Sequence, residues 1–326
     1  MELYQIILIA TASALALLTL SLLIAFVTYK ITFARGGRRF SQNYLKRVAS
    51  FYNSYGDISE KLSGFVRSRE YEEKIINSYD GKKLFAKFYK TEPTAPIHIL
   101  FHGYRSKAEL DMAGAIYECL SLGHNVLLVD QRAHGKSEGG QISFGILERL
   151  DVLSWCRLAQ EEFGAQSPIF IWGVSMGAAT VLSALDLPLP ENVAGVIADC
   201  PYSSPSAIIK RVGKKLFMPM WLFMPFIRMG AKLFGGFGID SASAEGAIVK
   251  SKLPILLIHG THDSFVPYQM SEALAARAKD AGVNLSFYSF EEARHAASYL
   301  TDSERYREII RAFVAENGKE KQDVRA

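Results

Sequence analysis

The sequence predicts an α/β protein with a doubly wound, mostly parallel sheet, and three observations support that prediction. Six short apolar runs of strand length occur after residue 96, segments of helical length separate most of them, and 49% of the 326 residues are apolar. Helices bury both faces of a parallel sheet, so its strands are apolar along their whole length. A chain of this size and composition buries a large core, which excludes a disordered or disulfide-stapled protein.

The first element is a long apolar segment. Leu3 to Tyr29 is a run of 27 residues without a charge. As a helix rising about 1.5 Å per residue, it is long enough to cross a hydrocarbon core of roughly 30 Å. A cleaved signal peptide is the alternative, but its apolar region is shorter and follows a positive charge, whereas Glu2 precedes this run. We therefore predict that residues 1–30 are an uncleaved transmembrane anchor.

The charges around the anchor predict its orientation. Residues 1–56 hold six basic residues, all after the apolar run, and one acid, Glu2. One apolar run predicts a single-pass protein. The positive-inside rule predicts that the bulk of the chain lies in the cytoplasm. The remaining 31 basic and 32 acidic residues offer no field for nucleic acid. Cys119, Cys156 and Cys200 lack metal-site spacing, so we predict buried reduced thiols and no metal.

Two elements precede the main alternation of strands and helices. Residues 31–70 carry aromatics at near-helical spacing, which predicts an amphipathic linker lying on the membrane or on the domain. These aromatics are Phe40, Tyr44, Phe51 and Tyr55. Residues 73–89 then alternate on both sides of Asp80-Gly81, a dipeptide that closes β-hairpins.

The domain itself is predicted over residues 71–315, followed by a flexible charged tail over 316–326. Helices are predicted within 106–123 and 144–164, each ending near a glycine. The predicted buried strands are 97–103, 125–130, 168–173, 194–199, 254–260 and 284–290. Ligands of such a sheet collect outside the carboxyl ends of its strands.

One segment, residues 205–250, breaks the alternation and is called the insert below. It holds aromatic residues, four methionines and seven cations. This composition predicts a helical lid that covers the active-site mouth or the bilayer surface. A pair of ordinary crossover helices with well-packed core faces is an equally open interpretation.

The most specific motif is Gly173-x-Ser175-x-Gly177, which follows a buried strand and precedes a small-residue helix start. This arrangement is a nucleophile elbow, in which a strained strand-to-helix turn exposes the serine oxygen. The flanking glycines are needed because side chains there would clash with neighbouring backbone. We therefore predict that Ser175 is the nucleophile.

A serine nucleophile needs a base, and the base needs a carboxylate to orient it. In this fold both follow the serine in the order acid, then histidine. Asp263 follows the strand of residues 254–260, and His295 is the histidine that follows the last strand. We predict Asp263 and His295 as partners of Ser175, with Asp199, at the end of the preceding strand, as the alternative acid.

Two backbone donors are expected for the tetrahedral oxyanion. One belongs to Met176, the residue after the nucleophile, and the other belongs to the loop after an early strand. That loop reads His102-Gly103-Tyr104, so we predict the Tyr104 N–H as the second donor.

These motifs together resemble the α/β-hydrolase superfamily, and within it the bacterial YqkD-like, or extracellular-peptidase-like, serine hydrolases. The resemblance covers roughly residues 70–315, and Ala133 stands where glycine is common in the family. It implies a triad of Ser175, Asp263 and His295, no metal and no organic cofactor, and an acyl-enzyme route for an ester, thioester or amide. The matching stretches are 102–106, 130–139, 173–177, 198–204, 259–267 and 292–298.

The sequence therefore predicts a membrane-anchored serine hydrolase, a carboxylesterase or lipase-like enzyme with a small-molecule or lipid-like acyl substrate. A serine peptidase or acyl-aminoacyl hydrolase is the alternative within catalysis, because the same triad cleaves amides. A non-catalytic membrane scaffold is the alternative from another class. The sequence leaves the oligomeric state open.

Overall fold

The computed structural model describes residues 2–36, 50 and 54–323, the last five of them by their backbone alone. The strands are β1 (Glu72–Asn77), β2 (Lys83–Tyr89), β3 (Ile97–Phe101), β4 (Asn125–Asp130), β5 (Ile169–Val174), β6 (Val193–Asp199), β7 (Ile255–Gly260) and β8 (Leu285–Phe290). The helices are α1 (Leu3–Thr32), α2 (Asp57–Arg67), α3 (Ala108–Asp111), α4 (Ala113–Ser121), α5 (Glu148–Phe163), α6 (Met176–Ser183), α7 (Pro205–Lys215), α8 (Met220–Gly235), α9 (Ala244–Ala247), α10 (Gln269–Asp280), α11 (Ser298–Thr301) and α12 (Ser303–Asp323).

The eight strands form one sheet in the order β1-β2-β4-β3-β5-β6-β7-β8. The pairs β1–β2 and β2–β4 are antiparallel, and every other neighbouring pair is parallel. The predicted hairpin is confirmed, with Gly81 at a φ of 77° in its turn. The predicted doubly wound α/β fold is therefore confirmed.

Helices cover both faces of the sheet. Ile171 and Trp172, successive residues of β5, belong to two separate buried clusters. The first cluster includes Trp155 of α5, and the second includes Ile310 of α12. Side chains of a strand point alternately to opposite faces, so the fully apolar run of β5 supplies both cores.

Two predicted elements differ from the structure. We predicted that the last strand is buried on both faces, but side-chain burial along β8 alternates because this strand lies at the edge of the sheet. The single helix predicted within 106–123 is two short helices, α3 and α4. Met112 separates them because its backbone, at φ −101° and ψ 11°, leaves the helical region.

Helix α1 is long and apolar enough to span a membrane, and its last third packs on the domain. A Cβ built on Gly230 of α8 would lie 2.3 Å from the Ala25 carbonyl oxygen, so the two backbones approach closely because Gly230 has no side chain. After α1, Phe33 is fully buried, and its carbonyl accepts a 2.7 Å hydrogen bond from the Ile142 N–H. The end of the predicted anchor is therefore built into the domain.

The rest of the predicted linker, 31–70, is described only in part. Phe40, Tyr44 and Phe51 lie outside the described residues. Leu62 of α2 is buried in the core of the domain. At the other end, α12 continues through residues 316–323 of the predicted tail, and residues 324–326 lie outside the described part.

Candidate active site

Ser175 occupies a strained turn between β5 and α6. Its φ of 55° and ψ of −113° lie outside the regions that residues with a side chain usually adopt. A Cβ on Gly173 would lie 2.2 Å from the Gly177 carbonyl carbon, and one on Gly177 would lie 2.0 Å from the Phe101 oxygen. Neither contact is tolerable, so the prediction that both positions require glycine is confirmed.

The loops after β7 and β8 bring the two predicted partners to Ser175. Ser175 Oγ lies 2.9 Å from His295 Nε2, and His295 Nδ1 lies 2.6 Å from Asp263 Oδ2. Ser175 and Asp263 are buried, and the His295 side chain is 24% exposed. The geometry is that of a nucleophile, a base and an orienting acid, with the base open to a ligand.

Asp199, the alternative acid, has other partners. Its carboxylate accepts hydrogen bonds from Tyr306 Oη at 3.0 Å and Ser298 Oγ at 3.3 Å. Its backbone carbonyl accepts from the Ser175 N–H at 2.8 Å and so holds the elbow. The described contacts place Asp263, and not Asp199, against His295.

His259 supports Asp263, and our sequence analysis did not assign it to the site. Its Nε2 lies 3.2 Å from Asp263 Oδ2 and 3.1 Å from the Val266 carbonyl oxygen, both of them acceptors. Nε2 therefore carries the proton, and Nδ1 accepts from Ser271 Oγ at 2.7 Å. A histidine at the end of a buried strand gives no sequence signal for this role, because the role depends on a loop folding back over it.

The environment of Asp263 favours its charged form. Burial by itself raises the pKa of this carboxyl, but hydrogen bonds from His259 and His295 outweigh burial and hold the pKa well below its usual range. The N–H groups of Phe265 and Val266 also donate to Oδ1, at 2.8 and 2.9 Å. Asp263 is therefore a fixed carboxylate beside His295 at neutral pH.

The loop that carries the Tyr104 N–H lies beside the nucleophile. A Cβ built on Gly103 would be 3.6 Å from the Ser175 Cβ. Asp111 orders this loop, since its carboxylate accepts from the Gly103 N–H at 2.8 Å and from Ser106 Oγ at 2.6 Å. Met176 directly follows Ser175 and begins α6, where helical N–H groups have no intrahelical acceptor.

The rings of Tyr104, Phe144 and Phe33 form an aromatic wall that connects the apolar cluster around Met176, the residue after Ser175, with the end of α1. The Tyr104 ring stacks on Phe144 with centroids 5.1 Å apart, and Phe33 meets Phe144 edge-on at 5.9 Å. Tyr104 and Phe144 pack against the apolar cluster that contains Met176 and Tyr202.

Cys200 is also close to the site. A sulfur, a carboxylate oxygen and a ring nitrogen from Cys200, Asp263 and His295 lie within 4.8 Å of one another. Burial raises the pKa of the Cys200 thiol well above its usual value, which disfavours the thiolate that a metal requires. The Asp263 and His295 side chains are also joined by the hydrogen bond described above, which a metal would compete with.

The order of strands and the strained serine between β5 and α6 define an α/β hydrolase of the serine type. Comparison with solved structures agrees. The esterase Pf2001 of Pyrococcus furiosus superposes with a TM-score of 0.62 at 26% identity, over 76% of this chain and 92% of its own.

The chain belongs to the prolyl oligopeptidase family, whose model matches residues 148–320. Among its relatives, the protein YqkD of Bacillus subtilis is 28% identical over 273 residues, which are 77% of this chain and 88% of that protein. The lysophosphatidylserine lipase ABHD12 of Danio rerio is 25% identical over 223 residues, 63% of this chain and 54% of that protein. The protein is thus a hydrolase of the esterase and peptidase type.

Replacing Asp199 separates the two candidate acids. Burial raises the pKa of Asp199 to about 6 from 3.8, so its contribution to stability is fully present below about pH 4 and is lost as pH rises through 6. Asp199→Asn, which keeps a side chain of the same shape, should retain turnover close to that of the wild type. The unfolding free energy of the wild type, relative to this variant, should fall by about 3 kcal/mol between about pH 4 and pH 7.

Urea unfolding in detergent at the two pH values, together with turnover of an activated ester, measures both effects. Asp263→Asn is the matched control and should lose turnover. If Asp199→Asn loses as much turnover as Asp263→Asn, Asp199 is the acid and our assignment is wrong.

Proposed function

We propose that this protein is a membrane-anchored carboxylesterase that cleaves lipid-like acyl esters through Ser175, His295 and Asp263. The observation that carries the proposal is the hydrogen-bond chain from Ser175 Oγ to His295 Nε2 and from His295 Nδ1 to Asp263 Oδ2. A serine hydroxyl is a weak nucleophile at neutral pH, and this chain supplies the base that activates it.

In the first half-reaction, Ser175 Oγ attacks the acyl carbon while its proton moves to His295 Nε2. His295 then carries protons on both nitrogens, and its charge is stabilised by the Asp263 carboxylate. The N–H groups of Tyr104 and Met176 donate to the tetrahedral oxyanion. Collapse of this intermediate breaks the ester bond, and His295 returns its proton to the leaving alkoxide.

In the second half-reaction, water replaces the alcohol. His295 takes a proton from the water as its oxygen attacks the acyl-Ser175 ester. The second tetrahedral intermediate uses the same two donors, and its collapse releases the carboxylic acid and restores the Ser175 hydroxyl.

A lipid-like substrate is supported by the surroundings of the site. The wall formed by Tyr104 and Phe144 is aromatic, and Phe33 brings the end of α1 against it. A chain anchored by α1 holds this wall near a bilayer. The similarity to a lysophosphatidylserine lipase and to an esterase points in the same direction.

The anchor and its orientation complete the proposal. The apolar part of α1 supplies the span, and the excess of basic residues from Lys30 onward supports a cytoplasmic location of the hydrolase domain. The three cysteines are free and buried in the structure, which is compatible with a reducing compartment.

Peptidase activity is the second candidate, because the family model that matches residues 148–320 is that of the prolyl oligopeptidases. An ester and an amide with the same acyl group distinguish the two functions. We expect the ester to be turned over with a kcat/KM that greatly exceeds the background in Ser175→Ala, and the amide to remain at background. Turnover of the amide at a rate comparable with the ester would replace our proposal with a peptidase.

A further inference from the structure

The turn between α7 and α8 exposes large apolar side chains. Residues 214–222, called the insert tip here, include Phe217, which is 95% exposed, and Trp221, which is 82% exposed. Leu216 and Leu222 are also exposed, at 65% and 44%. Clustered apolar exposure of this kind marks an interaction surface in a protein otherwise packed around buried cores.

Phe217 adopts a conformation that its side chain disfavours. Helix α7 ends in a Schellman motif, in which the Met218 N–H donates to the Gly213 oxygen at 2.9 Å and the Phe217 N–H to the Lys214 oxygen at 3.0 Å. Phe217 occupies the position where glycine is usual, at a φ of 55°. Packing against the domain does not explain a phenylalanine there, because its side chain is exposed.

The insert tip is held in a fixed shape. A Cβ on Gly213 would lie 2.0 Å from the Met220 sulfur, so the start of α8 closes tightly against α7. Arg211 and Lys215 of α7 both donate to the Ser264 carbonyl, which follows Asp263 in the chain. The exposed side chains are therefore presented by a helical hairpin tied to the active-site loop.

The packing of α1 on α8 directs the insert tip toward the membrane span. Ala25 of α1 lies against Gly230 of α8, and further along both helices the Tyr29 ring lies against Gly235. The contacts advance in the same direction on both helices, so both amino-terminal ends lie on the same side. Trp221 precedes Gly230 by nine residues, or about 13 Å of helix toward the side of the span.

The lengths agree with this placement. The lipid-exposed part of α1, Leu3–Leu23, is about the length needed to cross a hydrocarbon core of roughly 30 Å. Packing on α8 begins after it, which places α8 at the membrane boundary. Tryptophan and phenylalanine flanked by lysines such as Lys214 are typical of a surface that enters the lipid interface.

We propose that the insert tip is a second membrane contact, and that Phe217, Trp221 and their leucine neighbours enter the leaflet on the side of the hydrolase domain. The occupant of this surface is the bilayer itself. The inference rests on the part of the proposed function in which α1 spans the membrane, and it does not depend on catalysis. It fixes the domain at two points and therefore holds the Ser175 pocket at a defined height above the lipid.

Tryptophan fluorescence tests the placement directly. Trp155 and Trp172 are 0% and 1% exposed, so the difference between Ser175→Ala protein and the Ser175→Ala, Trp221→Phe double variant isolates the signal of Trp221. Full-length Ser175→Ala protein is placed in nanodiscs of phosphatidylcholine and phosphatidylglycerol, with ordinary or brominated acyl chains. We expect brominated lipid to quench most of the Trp221 signal and aqueous iodide to leave it nearly unchanged.

Quenching by iodide without quenching by brominated lipid places the tip in water, and resistance to both places it under protein. Either result overturns the proposal. Protein that does not enter the discs refutes the anchor instead. None of these outcomes requires turnover. The experiment therefore tests the membrane contact of the insert tip separately from the catalytic role proposed for Ser175.

Phe217→Gly provides an independent test. Glycine relieves the strain at a φ of 55°, so the thermal midpoint in detergent should equal or exceed that of the wild type. Quenching of Trp221 by brominated lipid should decrease, because the tip loses an apolar side chain from the bilayer. A lower midpoint, or unchanged quenching, contradicts a membrane role for Phe217.

Discussion

Ser175→Ala should lower kcat for an acyl ester by about 10⁴-fold or more, because the acyl-enzyme route has no other nucleophile. The substitution removes one oxygen atom from a position that is 7% exposed, so we expect the fold to be unaffected. Single-turnover and steady-state hydrolysis of an activated ester measure the effect. Ser121→Ala, a serine exposed at the end of α4, is the matched control and should keep wild-type kinetics.

Combining substitutions tests whether the residues act as one unit. His295→Ala removes the base 2.9 Å from Ser175 Oγ, and we expect its loss to resemble that of Ser175→Ala. The double variant should be no worse than either single variant, because members of one catalytic unit are not additive. Additive losses would mean that Ser175 and His295 act separately, and the mechanism would have to be abandoned.

Of the substitutions that we propose, Arg132→Met should lower the unfolding free energy the most. Arg132 is 1% exposed and contacts both carboxylate oxygens of Asp151 at 2.6 Å. Asp80, at the β1–β2 turn, also accepts from this guanidinium, at 3.2 and 3.3 Å. Removing the cation leaves the buried Asp151 carboxylate unpaired, which costs about 3–5 kcal/mol of unfolding free energy.

Urea unfolding of the detergent-solubilised protein measures this cost. Arg149→Met is the matched control, because Arg149 pairs with Asp186 at a position where the two side chains are 18% and 24% exposed. The control should lose roughly 1 kcal/mol or less, since solvent screens such pairs. Equal losses of unfolding free energy in Arg132→Met and Arg149→Met would show that burial does not increase the contribution of the Arg132–Asp151 pair to stability.

Local patterns in the sequence were sufficient to predict the elbow and the strands. Gly173, Ser175 and Gly177 act within one turn, so their spacing carries the whole signal, and the apolar runs of β3 to β7 reflect burial on two faces. The prediction of His295 as the base was based on chain order alone. The burial on both faces that we predicted for β8 was wrong, because its sequence does not reveal that this strand lies at the edge of the sheet.

Contacts between distant segments carried no sequence signal. His259 supports Asp263 only because the β7 loop folds back over it. Asp111 orders the Gly103 loop from a short helix that we had predicted as part of a longer one. The docking of Gly230 on Ala25 joins segments that are about 200 residues apart, and periodicity cannot reveal such a pair.

The central claim is that His295 and Asp263 activate Ser175, and covalent labelling with a fluorophosphonate probe tests it most directly. The probe reacts with an activated serine and needs no knowledge of the substrate. We predict that the detergent-solubilised wild type is labelled at Ser175, and that labelling is lost in both Ser175→Ala and His295→Ala. A folded wild type that resists the probe, or labelling that persists in Ser175→Ala, would contradict the account.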